Sequence, residues 1–116
     1  MEKKVTYEIE NGNKVKVETF SNGSVYKYDE NGNIIYHKRS DGTEWWSEYD
    51  SNGNEIHYKD TDGSEEWREY DANGNEIHFK RSDGYEYWYE YDVNGKLIHY
   101  KDTKGREWKQ DSLQGQ

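Results

Sequence analysis

The chain has no cysteine, no proline, one methionine, and only fifteen residues among 116 that are Val, Ile, Leu or Phe. Without cysteine there is no disulfide framework and no thiolate metal site. Without proline nothing interrupts a strand ladder. No long apolar run occurs, and residues 1–6 lead into none, so neither a signal peptide nor a membrane-spanning helix is expected, and a cytoplasmic protein is. Cations are also scarce: 16 Lys and Arg face 25 Asp and Glu, a formal net charge of −9. Direct nucleic-acid binding rests on Lys and Arg neutralising phosphates, so this balance argues against it. It favours solubility, a basic partner surface, or mimicry of an acidic ligand. An aliphatic share below about 20% with high net charge is a mark of disorder. Five Trp, twelve Tyr and two Phe argue the other way, because each can bury about 150–250 Å².

What is present is a repeat. Tyr-Asp-x-Asn-Gly begins at Tyr28, Tyr49, Tyr70 and Tyr91, a spacing of 21 residues each time. Glycines from Gly12 to Gly105 fall 9 to 11 residues apart, nearly all in Asn-Gly or Asp-Gly. Such dipeptides between alternating segments signal hairpins. The segments between are rich in Tyr, Trp, Ile, Val and Thr, which favour strands. The expected fold is all-β: an antiparallel meander of about ten or eleven short strands, built from 21-residue double-strand repeats in a single twisted or curled sheet. Residues 1–23 read as an irregular capping hairpin, 24–110 as the repeats, and 111–116 as a polar tail, together one structural domain.

Side chains alternate faces along a strand. Two identical even loops would give an even period, so an odd one needs an extra residue somewhere. The expectation assigns a two-residue type I′ loop to Asn52-Gly53 and its equivalents, and a three-residue loop with a glycine bulge to Thr61-Asp62-Gly63. This register sets Tyr49 opposite Ile56, with Tyr28/Ile35, Tyr70/Ile77 and Tyr91/Ile98 as copies. It sets Lys59 opposite Glu65, with Lys38/Glu44, Lys80/Glu86 and Lys101/Glu107 as copies. One face then carries the Tyr/Ile column with Trp45, Tyr58, Phe79, Tyr87 and Tyr100, and is the face expected to be buried. With no helix to cover it, the sheet curls, stays a single layer, or forms a homodimer through the Tyr/Ile face. The other face carries Trp46, Trp67 and Trp88 with glutamates, histidines and a lysine column.

His57, His78 and His99 recur every second strand, about 9.5 Å apart, too far for one ion with bonds of about 2.1 Å. They are expected to pack beside Trp and pair with Glu48, Glu69 and Glu90. The repeated Glu pairs read as solvated ladder partners rather than a glycosidase dyad. Asp50-Ser51-Asn52-Gly53-Asn54 matches half of a calcium loop, but turn chemistry already accounts for those residues. No phosphate loop or nucleophile motif is present. No metal, cofactor or catalytic residue is expected.

The pattern Tyr-Asp-x-Asn-Gly-Asn-x-Ile, followed about ten residues later by Asp-Gly and a further Tyr-Asp, resembles the YD repeats of Rhs and teneurin-type proteins over roughly residues 24–109. Those repeats form β-hairpin sheets that spiral into shells around a toxin. The Trp and His columns stand outside that pattern, and four copies are too few to enclose a shell. The alternating turns also resemble the MORN-like repeats of a bacterial antitoxin family, and the small acidic repeat design resembles phage-borne inhibitors of bacterial defence systems. These resemblances carry over no catalytic residues. They imply a non-enzymatic inhibitor of a protein partner, one that is basic or nucleic-acid-binding. Trp46, Trp67, Trp88, Glu48, Glu69, Glu90, His57 and His78 are the expected contact residues. The alternative is a carbohydrate- or surface-binding module that uses the same aromatic stripe.

Overall fold

In a computed structural model, which describes residues 2–110, the chain is all-β, an antiparallel meander with strands following chain order and no helix among the described residues. The expected 111–116 tail lies outside the described residues. The chain divides into two compact units, Met1–Glu65 and Glu66–Gln116. The first contains β1 (Lys3–Glu10), β2 (Asn13–Phe20), β3 (Val25–Tyr28), β4 (Ile34–Lys38), β5 (Glu44–Tyr49) and β6 (Glu55–Asp60). The second contains β7 (Glu65–Tyr70, its first residue belonging to the first unit), β8 (Glu76–Arg81), β9 (Glu86–Tyr91), β10 (Leu97–Asp102) and β11 (Glu107–Lys109). The eleven strands agree with the count read from the glycine spacing.

The turns take two forms. Asn11 and Gly12 both have positive φ, 52° and 81°, and Glu10 pairs with Asn13, which makes a two-residue type I′ loop. Among the described residues no other non-glycine residue has positive φ. The expected type I′ loop at Asn52-Gly53 is therefore corrected to a three-residue loop. The Asp50 N–H donates to the Asn54 carbonyl at 2.9 Å, and the Gly53 N–H to the Asp50 carbonyl at 3.0 Å. Gly53, at φ 84°, supplies the left-handed residue. The Thr61-Asp62-Gly63 loop has the same form, as expected, with Asp60 N–H on the Ser64 carbonyl at 3.0 Å.

An aspartate caps the three-residue loop of the Tyr-Asp copies. Asp50 Oδ1 accepts the backbone N–H groups of Asn52 and Asn54, each at 2.9 Å. Such a cap stabilises the conformation with φ negative at Asn52 and loses its purpose in a type I′ turn. Asp29, Asp71 and Asp92 repeat it. In the first hairpin Ile9 stands three residues before Gly12, where the later copies have this aspartate, so the cap is absent and the turn is type I′; Phe20, Arg39 and Arg81 close three-residue loops without it.

If both loops of a repeat are alike, the odd residue must lie in a strand, and it does. Glu48 is opposite His57, but Tyr49 is opposite Glu55, so Ile56 is a bulge without a partner. The same shift passes over Ile35, Ile77 and Ile98. The expected Tyr49/Ile56 pairs and their copies are thus corrected: Tyr28, Tyr49, Tyr70 and Tyr91 oppose Ile34, Glu55, Glu76 and Leu97. A bulge places two residues against one and keeps the sheet faces intact beyond it. The Lys/Glu register holds at Lys38↔Glu44, Lys80↔Glu86 and Lys101↔Glu107.

Among the described residues burial is shallow and differs between units. In the second unit Phe79 is the buried apolar residue. It lies on the expected Tyr/Ile face, stacked on Tyr87 at 4.9 Å with the Arg68 guanidinium 4.7 Å from its ring. In the first unit the buried apolar residues are Val15 and Val17. Val17 opposes Lys27, Lys27 opposes Tyr36, and Tyr36 opposes Trp46. That core therefore lies on the Trp46 side, opposite to the expectation, because the capping hairpin places its valines there and its glutamate, Glu18, on the other face.

Candidate binding face

In the first unit β5 and β6 bring Trp46, Glu48, His57 and Lys59 to one face: Trp46 opposes Lys59, and Glu48 opposes His57. His57 Nδ1 lies 2.7 Å from Glu48, and its Nε2 2.6 Å from Glu65. In the second unit the same station occurs twice. His78 sits between Glu69 and Glu86, each at 2.8 Å, and His99 between Glu90 at 2.9 Å and Glu107 at 2.7 Å. Lys80 Nζ lies 5.8 Å from the Trp67 ring and Lys101 Nζ 5.1 Å from the Trp88 ring. The His78 ring stacks on Trp88 at 5.3 Å and 11°.

An imidazole with carboxylate oxygens at both nitrogens donates to both only when protonated. All three histidines are accordingly held above their ordinary value. For His57 the hydrogen bond to Glu48 leads, followed by that to Glu65. For His99 Glu90 leads, then Glu107. For His78 burial opposes the shift, and Glu69 and Glu86 together outweigh it.

The lysines opposite Glu86 and Glu107 arch over tryptophan while the carboxylates turn to histidine. Each station thus has an inner carboxylate and an outer one. In the two inner stations Glu65 and Glu86 have side chains 29% and 26% exposed, whereas Glu48, Glu69 and Glu90 are 67%, 67% and 66% exposed. Trp46 and Trp67 remain exposed, and Trp88 is half-buried beneath His78 and Lys101.

The eight expected contact residues all lie on these stations, Trp46, Glu48 and His57 in the first unit and Trp67, Trp88, Glu69, Glu90 and His78 in the second. Sequence reasoning did not find the inner clamp formed by Glu65, Glu86 and Glu107. The signal was the Lys/Glu register, which places each of these glutamates beside a histidine two residues before the lysine. Nor did it find the swap in the first copy. Tyr36 stands where the later copies have histidine, and its hydroxyl donates to Glu44. Burial, then the Glu44 carboxylate, pushes Tyr36 up to about 12.

A cleft of about 800 Å³ opens on the Trp46 face of the first unit. Glu10, Glu30, Glu48, Val15, Trp46 and Lys59 contribute to its wall. The opposite face of the second unit carries a polar cluster that the bulge creates. Glu76, opposite Tyr70, accepts from the Tyr87 hydroxyl and lies 3.2 Å from Arg68 Nε.

No family model matches the chain, and no curated protein sequence matches it.

Proposed function

We propose that this chain is a non-enzymatic acidic binding protein that inhibits a protein partner by occlusion, in the manner of an immunity, antitoxin or anti-defence protein. The partner is basic, and the surface it loses is a nucleic-acid-binding groove of the nuclease type. One observation carries this reading: each Trp–His station holds an outer carboxylate two-thirds exposed and fixed in place by the histidine beside it. A fixed carboxylate is a ready acceptor for an Arg fork or a Lys ammonium, and the indole beside it adds apolar area. The net charge of −9 steers a basic partner toward it.

Lys80 and Lys101 lie over Trp67 and Trp88, so a sugar ring would have to displace them to stack there. The protein-binding reading is therefore preferred to the carbohydrate one.

The test is affinity capture from host extract, followed by a nucleic-acid-binding assay on the captured protein. The expected outcome is a basic partner whose capture weakens with salt and with Trp67→Ala/Trp88→Ala or Glu69→Gln/Glu90→Gln, and which releases nucleic acid when this chain is added. Undiminished capture by the tryptophan variant would overturn the site. A captured partner that keeps its nucleic acid would overturn the occlusion mechanism.

A further inference from the structure

Among the described residues β1 has a single neighbour, β2, in the strand order. The pair runs in one unbroken register from Lys3↔Phe20 to Glu10↔Asn13. Ser21 N–H donates to the Glu2 carbonyl at 3.1 Å. Antiparallel pairs alternate between hydrogen-bonded and non-hydrogen-bonded, so Lys4, Thr6, Glu8 and Glu10 spend their backbone groups on β2. Lys3, Val5, Tyr7 and Ile9 turn theirs outward.

Natural edge strands are kept short, bulged or interrupted by proline. β1 has eight residues and continuous pairing, and the chain has no proline. Its outward residues are also apolar on one face: Val5 is 41%, Tyr7 60% and Ile9 70% exposed. Its other face runs from Lys4 at one end to Glu8 and Glu10 at the other.

We propose that β1 pairs with β1 of a second copy, antiparallel and about a two-fold axis at Tyr7. A two-fold perpendicular to the sheet keeps each face on its own side, so the axis must pass through a residue. Three placements are central. At Thr6 the axis sets Glu2 against Glu10 of the second copy and Lys3 against its Ile9. At Glu8 it sets Glu8 against itself. At Tyr7 it sets Val5 against Ile9, Tyr7 against Tyr7, Lys4 against Glu10 and Thr6 against Glu8. Only the Tyr7 register matches apolar with apolar and cation with anion without a like-charge pair. It also brings the outward backbone groups of Val5, Tyr7 and Ile9 into hydrogen-bonded pairs. The interface is an edge, so it leaves the Trp–His stations free and does not depend on the function proposed above.

The test starts with mass by light scattering across a wide dilution series. The expected result is a concentration-dependent species of twice the 14.0 kDa chain mass. A monomer at every concentration overturns the proposal. Tyr7→Pro removes an outward N–H that β2 does not use, and should leave a folded monomer, with circular dichroism confirming the sheet. A dimer that survives this change lies elsewhere and also overturns it.

Register is tested by charge exchange and crosslinking. Lys4→Glu and Glu10→Lys should each be monomeric alone and form a mixed dimer when combined. Failure of the folded variants to pair on mixing contradicts the Tyr7 axis. The chain has no native cysteine, so Tyr7→Cys should crosslink to itself on oxidation, whereas Val5→Cys should do so only together with Ile9→Cys. Efficient self-crosslinking through Val5→Cys alone would place the axis elsewhere.

Discussion

In the β1–β2 hairpin, eight residues on each strand pair without interruption, the turn is type I′, and the edge faces outward. In the β7–β8 hairpin, Asp71 caps a three-residue loop, Ile77 is bulged out of the ladder, and Glu69 and His78 pair across the strands. The same Asn-Gly dipeptide lies in both turns. What differs is the residue three before the glycine, Ile9 in one and Asp71 in the other. The Asp71 carboxylate reaches the N–H groups two and four residues on and stabilises the longer loop. The bulge that follows twists the strand and re-aims a glutamate to the aromatic face. The first hairpin, lacking both, gains length and loses protection of its edge.

The largest effect expected from breaking this contrast is in the cores. Phe79→Ala should cost about 3–5 kcal/mol, since a large ring stacked on Tyr87 is removed, whereas Val15→Ala should cost on the order of 2 kcal/mol. Urea unfolding measures both, and a larger loss for Val15→Ala would make the first hairpin, not the repeat, the stability centre.

The next effect is at the turns. Asp71→Ala leaves two backbone donors without their cap and should lower the thermal midpoint clearly. Glu10→Ala removes only one of two carboxylates that hold Lys27, and should lower it less. Equal shifts would mean that the cap contributes no more than one contact to Lys27.

The hairpins should also fail at opposite ends of the pH scale. His57, His78 and His99 bind their protons more tightly in the folded state. Their stabilisation is complete below the ordinary histidine value of about 6.5 and fades as pH rises through the raised values. In the first hairpin Glu8 is held low chiefly by Lys27, and Glu18 chiefly by Lys3. Their stabilisation is complete above the ordinary glutamate value and fades as pH falls through the lowered ones. Thermal unfolding across pH should show both limbs. Replacing the three histidines by glutamine should flatten the alkaline limb alone, and Lys3→Met should soften the acid limb. An alkaline limb that survives without the histidines would assign it to other groups.

The smallest expected effect is at the lysine arches. Lys101→Met keeps the stem over Trp88 but removes the charge, and should cost about 0.5–1 kcal/mol, less at high salt. A salt-independent loss would point to packing instead.

Much of this could be read from residue order. Asn-Gly and Asp-Gly spacing gave the strand number, and Lys80 with Glu86 gave a register that the structure keeps. Alternation placed Trp67, Glu69, His78 and Lys80 on one face, and they share it. The Tyr70/Ile77 pair was misread, because an odd period says that a residue is extra but not whether it sits in a loop or a strand. The extra residue sits in the strand, at Ile77. The buried face of the first unit was misread as well, since Val15 and Val17 do not belong to the repeat and its alternation says nothing about them.

By itself the sequence determined the secondary structure, the meander and the composition of the Trp–His face. Those follow from turn chemistry and from the two-residue alternation of strands, which act over a few residues. Tertiary structure alone decided which carboxylate clamps each histidine, which glutamate the bulge sends to the aromatic face, and that β1 is an edge. These depend on distances between strands and on which strand comes next to which. A side chain two methylenes long has several partners in reach, and only the packed sheet selects one.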